Sequence, residues 1–245
     1  MHRCYAPNAD LTAPSLCIEG EEAHHALRVM RLRVGDRCEV FDGAGHAALA
    51  TITAAAGSSM QLSLDRQLPP MPPTTGITLA LAIPKGTNME LIVQKAVELG
   101  VQRIIPLITE RTIVRLNDKE AAAKAAKWRK TVLEACKQSG VNTLPTVELP
   151  QPYKLFLQRN DLPGLRLQCA IVPHARPLRE LLETARADGQ TDCTLLIGPE
   201  GDFSPSEYTA AEAAGFAPAS LGPIILRVET AVFMAASAAR YALDR

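Results

Sequence analysis

Two glycine-bearing loops near the end of the chain hold the residues whose types and spacing could do chemistry. The first, residues 195–204, reads LLIGPEGDFS and starts in an apolar run. Its two glycines and its proline predict a tight turn that lets a ligand approach the backbone closely. The second, residues 220–231, reads SLGPIILRVETA and brings Arg227, Glu229 and Thr230 to the start of an apolar helix.

The charged group in the second loop has two interpretations. We expect Arg227, Glu229 and Thr230 to lie in apolar surroundings, where a charge is costly unless it is paired or bound to a ligand. One interpretation is therefore a ligand or a reacting group held at this loop. The other is an Arg–Glu ion pair that serves the structure alone, and the residues by themselves leave both open.

Several common kinds of site are excluded by missing motifs. The sequence has no G-x-G-x-x-G after a strand, no G-x-x-x-x-G-K-[ST] and no G-x-S-x-G, which argues against nicotinamide enzymes, NTPases and serine hydrolases. Its six cysteines are scattered singly, so no metal site and no disulfide framework are expected. It has no apolar leader and no run of about 18 apolar residues, so we expect a cytoplasmic protein without a membrane span.

Alternating strands and helices must position the two loops. Apolar runs at 77–83, 103–109, 167–172 and 194–198 predict strands that are covered on both faces. The order of elements predicts an α/β fold with a mostly parallel sheet, which binds ligands at the carboxyl ends of its strands.

Helix boundaries in this part are marked by caps and glycines. Ser204 with Glu207, and Thr87 with Glu90, have the spacing of capping boxes. The last helix, 228–243, is apolar nearly all round, so we expect it to be buried in the core or against a second subunit.

The N-terminal third has a different pattern. Short strand-like runs between residues 34 and 68 follow a brief helix at 21–31, which predicts a small β-barrel. The proline-rich segment 68–76 predicts a linker between domains at 1–70 and 71–245. The net charge is zero, yet residues 71–141 carry eleven Lys/Arg against six Asp/Glu. This asymmetry fits either a surface that faces phosphates or a solvated helix face.

The two loops, in this order, resemble the cofactor loops of the SPOUT methyltransferases, whose C-terminal trefoil knot binds S-adenosylmethionine (SAM). Over nearly its full length the chain resembles the RsmE family more closely. The likeness runs through HHALRVMRLRVGD (24–36), KGTNMELIVQKAVELGV (85–101), ERT (110–112) and KWRKTVLEACKQSG (127–140). G-P-E-G alone would be weak, but the ordered set is specific. The resemblance implies SAM-dependent methylation of N3 of a uridine in the decoding region of 16S ribosomal RNA, a step of ribosome biogenesis.

The same resemblance implies a PUA-like RNA-binding barrel, a knotted catalytic domain and a homodimer that acts on 16S rRNA or the small ribosomal subunit. Carried over by motif, the cofactor-binding residues are Leu196, Gly198, Glu200, Gly201, Ser220, Leu221, Gly222, Ile225, Leu226, Arg227 and Thr230.

Chemical roles follow for three of the polar residues. Uridine N3 must lose its proton at or before attack, so a base or a group that stabilises the anion is needed. We expect Arg227 to stabilise the charge, with Glu229 either orienting Arg227 or taking the proton. Glu200 is the second candidate base. The residues that we expect to contact RNA phosphates are Arg28, Arg31, Arg33, Lys85, Arg111, Lys127, Arg129 and Lys130.

The chain departs from the family pattern at three positions. Asp202 stands where the family usually has glycine, Ile224 where it has arginine, and Val141 where arginine commonly follows QSG. Asp202 and Ile224 keep a second hypothesis open: an RNA-binding or ribosome-assembly protein that has the SPOUT fold with weak or no activity.

Overall fold

The computed structural model describes residues 1–72 and 74–244. Pro73, within the predicted linker, and Arg245, at the end of the predicted second domain, lie outside the described residues. The chain forms two units, of which the first contains residues 1–72 together with 133–144. The second unit contains the other described residues.

The first unit is built on a curled sheet of five strands in the order β1-β3-β4-β5-β2. Strands β1 and β3 are parallel and the other neighbours antiparallel. Alternate side chains such as Val40, Ile52 and Leu62 point inward and are fully buried, as expected for strands with one covered face. The strands are β1 (His2–Tyr5), β2 (Ser15–Glu19), β3 (Arg37–Phe41), β4 (Ala47–Ala56) and β5 (Ser59–Gln67).

The predicted helix at 21–31 is present in a modified form. It begins as α1 (Glu21–His24) and continues as a π-helical turn, His25–Val29. Shortly after this turn, Arg31 has a φ of 59°, a backbone conformation that is uncommon for residues other than glycine. Two rare backbone features therefore lie within one short segment.

The second unit contains the predicted parallel sheet, which is confirmed. Seven of its eight strands follow the order β11-β13-β10-β12-β6-β7-β8, and β9 also pairs with β7. Every strand pairing in it is parallel. The strands are β6 (Gly76–Ala82), β7 (Val101–Ile108), β8 (Thr146–Val147), β9 (Gln151–Pro152), β10 (Leu165–Cys169), β11 (Arg176–Pro177), β12 (Asp192–Ile197) and β13 (Ala217–Ser220).

Between residues 76 and 244 the structure describes six further helices. Sequence patterns predicted four of them, including one at 119–139, while α4 and α5 were not predicted. The ends of these four helices lie within two residues of the predicted ones. The helices are α2 (Asn88–Glu98), α3 (Asp118–Ser139), α4 (Tyr153–Leu157), α5 (Leu178–Ala187), α6 (Pro205–Ala213) and α7 (Val228–Leu243).

One of the two predicted capping boxes is confirmed and the other is wrong. The Ser204 side chain accepts the N–H of Glu207, and the Glu207 carboxylate accepts the N–H of Ser204 in return. Thr87 has φ −103° and ψ 7°, outside the extended region that a capping residue adopts, and its side chain caps nothing. Glu90 instead forms an ion pair with Lys127 at 2.6 Å.

Helix α7 is mainly a core helix, since seven of its side chains are buried. Met234 and Tyr241 on the same helix are exposed. Within residues 1–72 and 74–244, no helix is long and apolar enough to cross a membrane.

Candidate functional site

A cavity of about 580 Å³ opens at the carboxyl ends of three neighbouring strands, β13, β10 and β12. Loops that follow these strands form its wall, which is where open α/β sheets bind ligands. Its volume lies in the range of cavities that hold small molecules and cofactors. The lining segments are Cys169–Pro173, Ile197–Glu200 with Asp202, and Ser220–Val228 with Ala231.

The loop after β12 is held in place by groups from outside it. The backbone N–H of Lys85 donates to Oε1 of Glu200 at 2.9 Å. The Arg111 guanidinium donates to the carbonyl oxygens of Gly201 at 2.8 Å and Phe203 at 3.3 Å. A Cβ at position 198 would lie 3.1 Å from the Phe203 ring, so the close approach of this ring favours glycine there.

The backbone conformation of Asp202 explains why this residue can stand where the family pattern usually has glycine. Its φ is 63°, in the left-handed region that favours glycine and that aspartate tolerates better than most residues. Its Oδ1 accepts the N–H of Phe203 at 2.8 Å and the hydroxyl of Tyr208 at 2.6 Å. The carboxylate therefore stabilises a turn that glycine would form without side-chain help.

The loop after β13 is more open. Gly222 has a φ of 110°, and its N–H donates to Oγ of Ser220 at 3.2 Å. Ile224 and Ile225, which line the cavity, are 75% and 78% exposed, so this wall presents apolar side chains to a ligand.

The expected burial of Arg227, Glu229 and Thr230 is wrong. Arg227 and Thr230 are exposed and Glu229 is half-buried. In the described part of the chain, no ion pair joins Arg227 to Glu229. Arg227 is the residue before α7 and has extended backbone, so its side chain stays solvated and needs no structural partner.

The charged groups of the wall are two carboxylates, Glu200 and Asp202, and one guanidinium, Arg227. The wall thus suits a ligand with a positive charge and with polar groups for backbone contacts. Cys169 also lines the cavity, and burial raises the pKa of its thiol to about 12. This thiol stays protonated at neutral pH, so it is a poor nucleophile.

Family models cover most of the chain. Residues 71–240 match the model of the RNA methyltransferase domain, and residues 18–65 match that of the RNA methyltransferase PUA domain. The ribosomal RNA small subunit methyltransferase E of Synechocystis sp. is 35% identical over 86% of this chain and 67% of its own length. The enzyme of that name from Bacillus subtilis is 30% identical over 94% of this chain and 91% of its own.

This chain belongs to the ribosomal RNA small subunit methyltransferase E family.

Solved structures agree with this assignment. The family member from Neisseria gonorrhoeae, bound to S-adenosyl methionine, is 33% identical with a TM-score of 0.87, covering 97% of this chain and 96% of its own. A methyltransferase from Legionella pneumophila, in complex with SAM, is 30% identical with a TM-score of 0.88 over 99% and 98% of the two chains. The predicted family, the mixed α/β fold and the N-terminal PUA domain are confirmed. The trefoil knot stays a prediction.

Most of the cofactor residues predicted from the family motifs lie around the cavity. Eight of them line it: Gly198, Glu200, Ser220, Leu221, Gly222, Ile225, Leu226 and Arg227. Three others do not form its wall. Leu196 is fully buried in the core of the second unit, Gly201 is exposed beside Arg111, and Thr230 lies on the exposed side of α7. Glu229, predicted as a base, does not line the cavity either.

Sequence reasoning missed the third loop of the wall, Cys169–Pro173. It follows β10, whose apolar run was recognised as a strand. The end of that predicted strand could have identified this loop as part of the site, because parallel strands all present their carboxyl ends at one edge of a sheet.

The residues predicted to contact RNA have different surroundings. Arg28, Arg31 and Arg33 in the first unit are exposed, as are Lys85 and Lys130 in the second. Arg111 donates to the carbonyls of the cavity loop. Arg129 donates through Nε to the carbonyl of Val147 at 2.9 Å, and Lys127 is paired with Glu90. The last three side chains thus have structural contacts of their own.

No group of histidine, cysteine or carboxylate side chains suited to a metal ion is present within residues 1–72 and 74–244.

Proposed function

We propose that this protein transfers a methyl group from SAM to N3 of a uridine in the decoding region of 16S ribosomal RNA. The observation that carries the proposal is the cavity formed by the loops after β10, β12 and β13. It supports a cofactor site because glycines, apolar side chains and backbone groups line it together with Glu200, Asp202 and Arg227. Membership of the family and the SAM-bound structures of two relatives support the choice of cofactor.

The residues present fit SAM. Exposed apolar side chains such as Ile225 suit the adenine ring, and the two wall carboxylates suit a ligand with a positive charge. When bound, SAM supplies an electrophilic methyl group on a positively charged sulfur. Gly222 leaves room for close backbone contacts, because no atom lies within 4 Å of the place where a Cβ would stand.

Arg227 and Glu200 are the residues that we propose for the chemistry on the uridine. Arg227 lies on the wall with a solvated guanidinium, so it can hydrogen-bond a pyrimidine carbonyl oxygen and stabilise the charge that develops as N3 loses its proton. Glu200 lies on the same wall, and the N–H of Lys85 fixes one of its carboxylate oxygens. It is therefore better placed than Glu229 to accept the N3 proton.

The substrate places further demands on the protein. N3 lies on the Watson–Crick edge, so the target uridine must be unpaired or extruded. We propose that residues 1–70 bind the RNA as a PUA-like domain while residues 71–245 form a knotted methyltransferase domain. Exposed Arg28, Arg31 and Arg33, with Lys85 and Lys130, would contact phosphates. This work takes place in the cytoplasm, where small subunits are assembled.

The active form that we propose is a homodimer. Met234 and Tyr241 are large apolar or aromatic side chains exposed on helix α7, and a second copy of this chain would cover them. Light scattering of the purified protein tests this: a monomer at micromolar concentration would contradict the dimer without touching the methylation proposal.

Methylation is tested by incubating the full-length protein with isotopically labelled SAM and either 16S rRNA or isolated small subunits. We expect 3-methyluridine in the nucleoside digest, and a stop of reverse transcription at one uridine, because the methyl group blocks the pairing edge. Label on another atom would contradict the N3 assignment. SAM binding without any transfer to either substrate would favour the RNA-binding hypothesis.

A further inference from the structure

A second cavity lies in the first unit, and none of its lining residues belongs to the loops that we assign to SAM. Its volume is about 340 Å³, within the range of small-molecule sites. Strand β1, the α1 segment with its π-helical turn, and the end of α3 form its wall. The lining residues are Met1–Cys4, Glu22, His25, Ala26, Met30, Leu32, Glu134, Lys137 and Gln138.

Ion pairs hold the wall of this cavity rigid. Lys137 donates to Glu22 at 2.7 Å and to Glu134 at 3.3 Å, and the side chains of Lys137 and Glu22 are 12% and 17% exposed. Arg3 donates to Glu39 at 2.8 Å, and its guanidinium lies 4.3 Å from the centre of the Phe41 ring. These groups are committed to each other, so they shape the cavity without being available to a ligand.

The charged side chains of the lining favour an uncharged ligand. They are Arg3, Lys137, Glu22 and Glu134, and their charges cancel. The polar groups that remain are the rings of His2 and His25 and the amide of Gln138; within residues 1–72 and 74–244, none of these side chains forms a hydrogen bond. Imidazole rings can stack on a flat heterocycle, and an amide can read the donors and acceptors on its edge.

The neighbouring segment of the chain has a different character. Arg28, Arg31, Arg33 and Arg37 are all exposed in the segment 28–37, which holds a single acidic residue, Asp36. Val29, Met30 and Val34 in the same segment are 59%, 39% and 59% exposed. Exposed aliphatic side chains between arginines suit a nucleic acid, since arginines bind phosphates and apolar side chains contact unstacked bases.

The backbone connects this segment to the cavity. His25 and Ala26, which line the cavity, belong to the rare π-helical turn, and Met30 belongs to both the wall and the arginine segment. Arg31 follows in a left-handed conformation. Unusual backbone of this kind concentrates at functional sites because it has to be held against its own cost.

We infer that this cavity binds an unpaired nucleobase of the RNA substrate, with the base between His2, His25 and Met30 and its phosphates on the arginines of segment 28–37. The inference rests on the proposed RNA substrate and adds a second base contact to it, separate from the methylated uridine. A pocket whose charged side chains are paired, beside a basic segment of the chain, is the arrangement that a base on a charged backbone requires.

Adjacent histidines offer a matched pair for the test. His25 lines the cavity, whereas His24 is exposed and does not. We would measure, by fluorescence anisotropy without SAM, the affinity of full-length His25→Ala, His24→Ala and His2→Ala for a labelled single-stranded oligoribonucleotide. Loss of one stacked base costs about fivefold or more in affinity. We expect that loss for His25→Ala and His2→Ala, and wild-type affinity for His24→Ala.

Salt dependence separates a base contact from a phosphate contact. The slope of log affinity against log salt should stay at the wild-type value for His25→Ala and fall by about 0.7 for Arg31→Gln. Thermal denaturation checks that each variant is folded. If His25→Ala is not folded, two other measurements test the site: the affinity of His2→Ala, and cross-linking of a 4-thiouridine oligonucleotide to the peptide that contains His25 and Met30.

Equal affinities of the His2, His24 and His25 variants, or cross-links elsewhere, would overturn the base site. Absence of any RNA affinity in the wild-type protein would instead contradict the proposed substrate.

Discussion

The hydroxyl of Tyr208 donates to Oδ1 of Asp202 at 2.6 Å, and its oxygen accepts the N–H of Ile171 at 3.4 Å. Asp202 and Ile171 line the proposed SAM cavity from different loops, so one buried hydroxyl connects two of the three loops that form its wall. Burial and the hydrogen bond to Asp202 both raise the pKa of Tyr208. The hydroxyl therefore keeps its proton at neutral pH and remains a donor.

This connection predicts how Asp202 variants bind SAM. Asp202→Gly should lower SAM affinity by about fivefold, because it removes the hydrogen bond from Tyr208 and such a bond is worth about 1 kcal/mol. The stability of the fold should be kept, because glycine readily adopts a φ of 63°. Asp202→Asn keeps an oxygen acceptor and should bind SAM nearly as the wild type does. Isothermal titration calorimetry gives the affinities.

Tyr153→Phe is the control for this series, because its hydroxyl is also buried but donates to the carbonyl of Glu207 at 2.9 Å, away from the cavity wall. It should bind SAM normally, and Tyr208→Phe should resemble Asp202→Gly. If Asp202→Asn loses as much affinity as Asp202→Gly, the carboxylate acts by its charge on the ligand and not by its bond to Tyr208.

Replacement of Arg227 tests whether it acts in the transition state. Arg227→Ala should lower kcat by about a hundredfold or more, the usual effect of removing a group that stabilises a developing oxyanion. Its SAM affinity should change little. Single-turnover methylation and calorimetry measure the two quantities, with Arg179→Ala on α5 as the control. Equal losses in rate and affinity would make Arg227 a binding residue.

Of the two candidate bases, Glu200 lines the cavity and Glu229 does not, so their variants should differ too. Glu200→Gln should lower the rate of methylation strongly and remove the acidic limb of its pH profile, because an amide cannot accept the N3 proton. Glu229→Gln should keep that limb, since Glu229 does not line the cavity. The reverse result would exchange the two roles.

Sequence patterns predicted four of the eight strands of the sheet, β6, β7, β10 and β12, and the two C-terminal loops, because apolar runs and glycines are local signals. They did not predict the loop at 169–173. Strand β10 lies between β12 and β13 in the sheet although all three are separated in sequence, and no local pattern carries that order. The family resemblance identified the two C-terminal loops as cofactor loops, but no family motif covered residues 169–173.

Charged residues show a second limit of sequence reasoning. A basic side chain is visible in a sequence, but its partner is set by the tertiary fold. Arg111 and Lys127 were both expected to face phosphates, yet one guanidinium holds loop carbonyls and the other cation pairs with Glu90. Similarly, nothing in the local pattern indicated that residues 133–144 belong with the N-terminal sheet.

Arg111 and Lys130 should therefore respond differently to substitution. Arg111→Ala removes the donor to Gly201 and Phe203, so we expect weaker SAM binding and an unchanged salt slope for RNA. Lys130→Ala, on an exposed position of α3, should leave SAM binding unchanged and lower the slope by about 0.7 if it contacts single-stranded RNA. Calorimetry and anisotropy at several salt concentrations distinguish the two. A lower salt slope for Arg111→Ala would instead show that Arg111 contacts RNA phosphates.

The ion pair between Lys137 and Glu22 predicts a pH-dependent contribution to stability. Burial by itself would lower the pKa of Lys137, but the hydrogen bond and charge of Glu22, with Glu134, outweigh it and raise the pKa above the ordinary 10.5. The lysine then stabilises the fold fully below pH 10.5, and this contribution is lost as pH rises through the folded-state pKa.

Lys137→Met should lower the free energy of unfolding by about 3 kcal/mol at pH 7, since it leaves Glu22 unpaired. Lys95→Met, which breaks the more exposed pair with Glu98, should cost under about 1 kcal/mol. Urea denaturation of both variants at pH 7 and pH 11 measures this, and a Lys137→Met deficit that does not shrink at pH 11 would show that the lysine stabilises the unit by packing alone.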